Sequence, residues 1–261
     1  MTTDQAAYTL DNTWEKAEWR LRVLESIYDP GTIARLTALG VGEGWRCLEL
    51  GAGGGSMTRW LCDRVGPTGS VTAVDLEPKF LEADPRPNME ILRHDIVADG
   101  VPGEGYDLIH TRALLMHLPD QDQLVAQLAS RLRPGGVVLL EEGDFYPFAP
   151  LLPSLYAEVW VRYAEVAAKA GGNFYWARHI PEALNAAGLI DVTAFGEVLM
   201  FQGGANESWT QLTAMTFEQA TPLLVADGYD PTRIAAGIAE MTDPSRWFPM
   251  CALIAATARR V

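Results

Sequence analysis

Three groups of residues carry chemistry in this sequence. The first is the run Leu48-Glu49-Leu50-Gly51-Ala52-Gly53-Gly54-Gly55-Ser56. Glycines at this density permit positive φ and let a ligand lie against the main chain. A dinucleotide fold uses Gly-x-Gly-x-x-Gly so that backbone can approach a pyrophosphate. Here Ser56 stands where that pattern puts its last glycine. Glu49, two residues before the first glycine, would repel a pyrophosphate and suits a ligand with an ammonium or sulfonium. The second group is Asp75, Leu76 and Asp95. An acid closing the next strand can take both hydroxyls of a ribose, Leu76 can pack on a base, and Asp95 can accept from an exocyclic amine. The third is His117, in Leu115-Met116-His117-Leu118-Pro119-Asp120, followed by the acids Glu141, Glu142 and Asp144. An imidazole with its ordinary pKa of about 6.5 suits a general base. Plainer readings compete. Asp75 can cap a helix opened by Pro78, Asp95 can be a solvated turn acid, and Glu49 can pair with Arg46. His117 can be structural, and His110 reads as a packed core histidine.

The elements that must position these groups are legible from periodicity. Trp14 to Ile27 reads as an amphipathic helix, with Trp14, Ala17, Leu21 and Leu24 at helical spacing. Asp29-Pro30-Gly31 breaks it, and Thr32–Leu39 is a second short helix. From Arg46 onward short apolar runs alternate with helical patterns. Strands are expected at 46–50, 70–76, 89–94, 106–111 and 137–141, and helices at 57–65, after Pro78, and at 120–132. Continuous apolar strands alternating with helices indicate a parallel sheet covered on both faces. Five such strand–helix units make a doubly wound α/β domain. Beyond it, helices are expected at 153–170 and 178–187, and strands at 189–201 and 250–259. Between those last strands, residues 206–241 form two helices split at Gly228-Tyr229-Asp230-Pro231.

Composition narrows the function classes. The 261 residues are 48% hydrophobic and 21% charged, which is a globular composition. Acids outnumber Lys and Arg by 34 to 20, for a net charge of −14. That surface disfavours nucleic acid and anionic membranes as partners. The N-terminus lacks the basic and apolar regions of a signal peptide, and Cys47, Cys62 and Cys251 read as buried reduced thiols, so a cytoplasmic protein is expected. The four His are not at ligand spacing with Cys or carboxylates, so no metal is expected.

As a set, Glu49-Leu50-Gly51-Ala52-Gly53-Gly54-Gly55, Asp75, His94-Asp95-Ile96, Tyr106-Asp107-Leu108-Ile109 and Leu132-Arg133-Pro134-Gly135-Gly136 resemble the motifs of class I S-adenosylmethionine-dependent methyltransferases. The resemblance covers roughly residues 40–145. Within the class it is similar to the small-molecule methyltransferases related to ubiquinone and menaquinone biosynthesis, as found in bacterial secondary metabolism. It implies S-adenosylmethionine as cofactor and a Rossmann-like, mostly parallel seven-stranded sheet. It implies that Glu49 holds the methionine ammonium, that Gly51, Ala52 and Gly53 approach the methionyl and ribose part, and that Asp75 binds ribose beside Leu76. Asp95 with the Ile96 backbone would meet adenine, and the Thr111 backbone the methionyl end. Sugar-methylating relatives place an acid where Glu142 falls, so Glu142 is expected to orient a catalytic His117. The expected organisation is a helical lid over residues 1–40, a cofactor-binding core over 41–145, and the remaining core over 146–261 with cap insertions near 150–172 and 206–241. Tyr8, Trp14, Trp19 and Arg20 would belong to the lid, with Arg20 at the methionine carboxylate.

The expected activity is methylation, most readily at oxygen, of a small apolar or aromatic acceptor. A homodimer is an open option. The alternatives are another reaction that uses the same cofactor, such as a cyclisation or isomerisation, and, further off, an NAD-dependent oxidoreductase.

Overall fold

A computed structural model describes residues 13–151 and 153–261. In chain order the elements are α1 (Ala17–Ala38), β1 (Arg46–Leu50), α2 (Ser56–Val65), β2 (Ser70–Asp75), α3 (Lys79–Glu82), β3 (Met89–Arg93) and β4 (Tyr106–Arg112). Then come α4 (Gln121–Arg131), β5 (Leu132–Asp144), α5 (Leu155–Ala168), α6 (Ile180–Ala186), β6 (Ile190–Glu197) and β7 (Met200–Gln202). The chain closes with α7 (Ser208–Ala226), α8 (Pro231–Met241), β8 (Trp247–Pro249) and β9 (Ala252–Arg259). A single 3₁₀ turn, Leu115–His117, lies between β4 and α4.

Seven strands form one sheet in the order β3-β2-β1-β4-β5-β9-β6, and β7 and β8 form a separate ribbon. The first five strands run parallel, whereas β9 lies antiparallel to both β5 and β6. The order turns back between β1 and β4, and in such sheets ligands bind at that point, beyond the carboxyl ends of the strands. The central strands read as apolar runs because both of their faces are covered: Cys47, Leu48, Leu50, Leu108, Ile109, Leu139 and Leu140 are all buried. Among the described residues, no helix is long and apolar enough to cross a membrane.

The structure differs from the sequence expectations in four places. Helix α1 runs through Asp29-Pro30-Gly31 without a break. Proline removes one helical N–H and crowds the preceding turn, but bonds from Asp29, Thr32 and Arg35 to the sheet hold the helix on course. No helix follows β3, so the chain passes from Arg93 to Tyr106 as turns and extended segments. The expected strand over 189–201 is two strands, β6 and β7, and the residues before β9 form β8, which pairs with β7. Pro134-Gly135-Gly136 falls inside β5 as an irregularity, because Tyr106 pairs with Leu132 but Leu108 with Val137. A Cβ on Gly136 would lie 2.6 Å from the Tyr106 carbonyl oxygen, so only glycine lets the two strands approach there.

Helices α5, α7 and α8 build a second apolar core around Phe148, Tyr156, Trp160, Tyr163, Phe217 and Leu224. Val23, Leu24 and Ile27 of α1 pack against it, so the N-terminal helix and the cap meet over the carboxyl edge of the sheet.

Candidate active site

Strand β1 leads directly into the glycine loop, and α2 starts at Ser56. Gly51, Gly53 and Gly55 take φ of 68°, 53° and 84°, a region that other L-residues enter only with strain. A Cβ on Gly54 would meet only the carboxylate of Glu25, the movable end of a flexible side chain. The loop is tied to β2 at its tip. Gly53 N–H donates to Asp75 Oδ2 at 2.8 Å, and Glu77 N–H donates to Asp75 Oδ1 at 2.9 Å. Burial raises the Asp75 carboxyl above its usual range, and these backbone bonds pull it partly back. Glu25, reaching down from α1, accepts from Ser56 N–H at 3.3 Å, and burial raises its carboxyl too.

These groups border a cavity of about 900 Å³ beyond the carboxyl ends of β1, β2, β4 and β5. The cavity has two chemically distinct ends. Near the glycine loop its wall carries the carboxylates of Glu25, Glu49, Asp75, Glu77 and Asp95. Toward the cap it carries Phe145, Trp160, Tyr163, Phe174 and Trp209. Arg20 and Arg112 also line it.

The structure brings most of the expected residues together. Glu49, Gly51, Ala52, Gly53, Asp75, Leu76, Asp95, Ile96 and His117 all border this one cavity. So does Arg20 of the expected lid, whereas Tyr8 lies outside the described residues. Asp95 is more than a solvated acid: its Oδ1 accepts from Val97 and Ala98 N–H at 2.9 and 3.2 Å, which shapes the turn beneath the cavity.

Of the expected cofactor and catalytic residues two do not line it, and neither do Trp14 and Trp19 of the expected lid. Thr111 is fully buried within β4, opposite Leu50 of β1 and Leu140 of β5. The strand runs on to Arg112, so the wall is made by Arg112 and Ala113 instead. Glu142 lies behind the 3₁₀ turn. Its Oε1 accepts from Leu114 and Leu115 N–H at 3.2 and 2.9 Å, and its Oε2 from Met116 N–H at 3.2 Å. The carboxyl is therefore spent on the backbone that carries His117 rather than on orienting its ring. Burial pushes Glu142 up to about 7, against the pull of the three N–H bonds.

His117 faces the cavity with its ring edge-on to Phe174, at a centroid distance of 4.9 Å. The residue is half-buried. That burial, with the charge of Arg20, lowers its pKa to about 3. The ring is therefore neutral at physiological pH, not poised near the ordinary imidazole value.

Sequence reasoning missed His110. It is fully buried, as a core residue would be, but it is not apolar packing. Its Nδ1 lies 2.7 Å from Glu49 Oε2 and its Nε2 3.1 Å from Glu141 Oε2. Burial opposes its charge, but the two carboxylates outweigh it and push the ring up to about 9. The signal was present in β4, where His110 and Arg112 stand two residues apart, beside a β5 whose apolar run gives way to Glu141.

An acid-rimmed glycine loop at the switch point of this sheet order defines the class of nucleoside-cofactor-binding α/β proteins. A family model described as a methyltransferase domain matches residues 15–194, and the chain belongs to that family. Methyltransferase str2 of Strobilurus tenacellus is 31% identical over 114 residues, which are 42% of this chain and 40% of that protein. A demethylmenaquinone methyltransferase of Staphylococcus aureus is 26% identical over 144 residues, 53% of this chain and 54% of that one. The chain thus spans about half the length of these curated relatives, or less. Among solved structures, phosphoethanolamine N-methyltransferase 2 of Haemonchus contortus, in complex with phosphomonomethylethanolamine and S-adenosylhomocysteine, superposes with a TM-score of 0.59 at 15% identity, covering 96% of this chain and 59% of that one. The YcgJ protein of Bacillus subtilis gives 0.54 at 15% identity, over 86% and 97%. At these identities the likeness shows the fold alone.

S-adenosylmethionine is the cofactor that this family implies, and the donor set fits it. The glycine loop is a cradle that a Cβ would obstruct. The carboxylates beside it match an ammonium, a sulfonium and a ribose diol in charge and hydrogen-bonding sense.

Proposed function

We propose that the protein transfers a methyl group from S-adenosylmethionine to an oxygen of a small apolar or aromatic molecule. The observation that carries this reading is the single cavity with five carboxylates at its loop end and five aromatics at its cap end. One end suits a cationic nucleoside, and the other suits an uncharged ring.

Glu49 takes the ammonium. Asp75, held by Gly53 and Glu77 N–H, keeps lone pairs on both oxygens for the ribose hydroxyls. Asp95 and the Ile96 backbone meet the adenine edge, with Leu76 against its face. Gly51, Ala52 and Gly53 offer bare backbone to the ligand, and the Arg112–Ala113 segment takes the wall position expected of Thr111. When bound, S-adenosylmethionine supplies an electrophilic methyl whose bonding pair stays with sulfur as the thioether.

The remaining work is positioning, which supplies about 7–11 kcal/mol where reactants are well aligned. Phe145, Trp160, Tyr163, Phe174 and Trp209 hold the acceptor and exclude water. His117, neutral, accepts the hydrogen bond of the acceptor hydroxyl and aims an oxygen lone pair at the methyl. As the C–O bond forms, the acceptor oxygen becomes an oxonium far more acidic than an imidazolium, so its proton leaves late, across the hydrogen bond to the weakly basic His117, which passes it on to water. Glu142 acts through the backbone, as a positioning residue that fixes the turn carrying His117.

The test is incubation with S-adenosylmethionine and a panel of phenols and hydroxylated apolar compounds, followed by mass spectrometry. The reading predicts S-adenosylhomocysteine in step with an O-methylated product. An isomerised or cyclised product without S-adenosylhomocysteine would overturn it.

A further inference from the structure

His110 stands at the centre of a buried chain of charges of which the reading above uses only Glu49. Glu49 of β1 is its partner on one side, and Glu141 of β5 on the other. Glu141 also accepts from Thr32 Oγ1 at 2.6 Å and from Arg35 Nη1 at 2.7 Å, both from α1. Arg35 continues to Glu197 at the end of β6, at 3.0 Å. Arg112 of β4 donates to Thr32 Oγ1 at 2.9 Å and to Asp29 at 2.7 Å. These groups come from α1, β1, β4, β5 and, through Arg35, β6.

Two features make this more than core packing. A neutral imidazole has one N–H, yet both ring nitrogens of His110 face carboxylates, and satisfying both requires two N–H groups. With both carboxylates ionised the ring is an imidazolium, the state toward which they push it. The charges also do not balance. Glu49, Glu141, Glu197 and Asp29 stand against His110, Arg35 and Arg112, which leaves one negative charge over. Of the four acids, only Glu49 borders the cavity. Glu49 is thus the acid through which this chain of charges meets the cavity, where a cationic ligand would add a second partner.

We propose that His110 is a positioning residue for the cofactor ammonium: clamped between Glu49 and Glu141, it aims Glu49 into the cavity and ties that carboxylate to α1, so that filling the cavity and docking residues 29–38 on the sheet favour each other. This rests on the reading of the cavity as a site for S-adenosylmethionine. Loss of the imidazolium would free Glu49 to rotate and leave Glu141 with one fewer cation. Loss of Arg35 would cut the same chain at a residue that does not line the cavity.

The test uses S-adenosylhomocysteine, which keeps the ammonium but carries no reactive methyl. Its affinity is measured by calorimetry, and amide hydrogen exchange is followed with and without it, for the wild type and three variants. Asn in place of His puts its amide nitrogen near the Nδ1 position, facing Glu49; Gln puts its amide nitrogen near Nε2, facing Glu141. His110→Asn is therefore expected to keep more affinity than His110→Gln, and Arg35→Gln to bind about fivefold or more weakly, within the range usual for coupled sites. In the wild type the ligand is expected to slow exchange both in the glycine loop and across residues 32–38. In Arg35→Gln the loop protection stays and the α1 protection is lost. If either His110 variant fails to fold, Arg35→Gln decides alone, since Arg35 is partly exposed. Unchanged affinity in Arg35→Gln, with α1 protection intact, would overturn the inference. A wild type that does not bind S-adenosylhomocysteine would instead overturn the reading of the site on which it rests.

Discussion

Replacing Glu142 with Gln tests whether this carboxyl serves the turn rather than the chemistry. Folding moves it from 4.5 up to about 7, chiefly by burial. A carboxyl with a raised pKa holds its proton more tightly in the folded chain. Its contribution to stability is therefore full below about 4.5 and is lost as pH rises through about 7. At about 1.4 kcal/mol for each tenfold change in an equilibrium constant, the loss amounts to about 3 kcal/mol. Gln avoids that loss because it has no charge to bury. It carries a different cost. Glu142 accepts three backbone N–H bonds through two oxygens, and Gln must turn its NH₂ toward one of those donors. A lost bond with a buried donor left over costs about 1–3 kcal/mol. Urea unfolding followed by fluorescence is expected to find Glu142→Gln less stable than wild type near pH 5 and equal or more stable near pH 8. The affinity for S-adenosylhomocysteine at neutral pH should change little, since Glu142 does not line the cavity. Unfolding curves that stay equally separated from about pH 5 to pH 8 would mean that Glu142 is ionised throughout, and would refute the reasoning.

Asp75→Ala removes acceptors for the ribose hydroxyls, at about 1.5–3 kcal/mol per charge-assisted bond, and calorimetry should find S-adenosylhomocysteine binding weakened by about ten- to a few-hundred-fold. Gly53→Val places a branched side chain at φ of 53°, with its Cβ 3.3 Å from Leu21; binding should be abolished while circular dichroism keeps its native shape. Histidine-ring NMR should show His117 neutral and unchanged between about pH 5 and pH 8, and His110 charged until pH rises through about 9. Because the His110 value is raised, its contribution to stability is full below about 6.5 and is lost as pH climbs through about 9. His110→Asn should accordingly flatten the fall in stability over that interval.

The loop end of the cavity was readable as a set of neighbouring residues because its signals are local. Glycines that need positive φ, an acid two residues ahead of them, and acids closing the next two strands are properties of short segments at known sheet positions. The strands themselves were legible as apolar runs because both of their faces are covered. What escaped was set by tertiary contact. Pro30 signals a break, but Asp29, Thr32 and Arg35 bind the sheet on either side of it and keep α1 whole. The sequence cannot say that β4 extends to Arg112, which leaves Thr111 inside the sheet and out of the cavity wall. Nor can it tell which way Glu142 points. Both Glu141 and Glu142 follow the apolar run of β5, yet one side chain reaches His110 and the other caps the 3₁₀ turn, because successive residues leave opposite faces of the sheet. His110 looked like core because burial is what its surroundings impose; its role lies in two acids distant in sequence.

The central claim is that the carboxylate-rimmed end of this cavity holds S-adenosylmethionine, and calorimetric titration of the purified protein with S-adenosylhomocysteine and, separately, with NAD tests it most directly. The account predicts a single saturable site per chain for S-adenosylhomocysteine, weakened by Asp75→Ala and by Glu49→Gln, and no heat with NAD. Binding of NAD with no response to S-adenosylhomocysteine, or S-adenosylhomocysteine binding untouched by both substitutions, would contradict it.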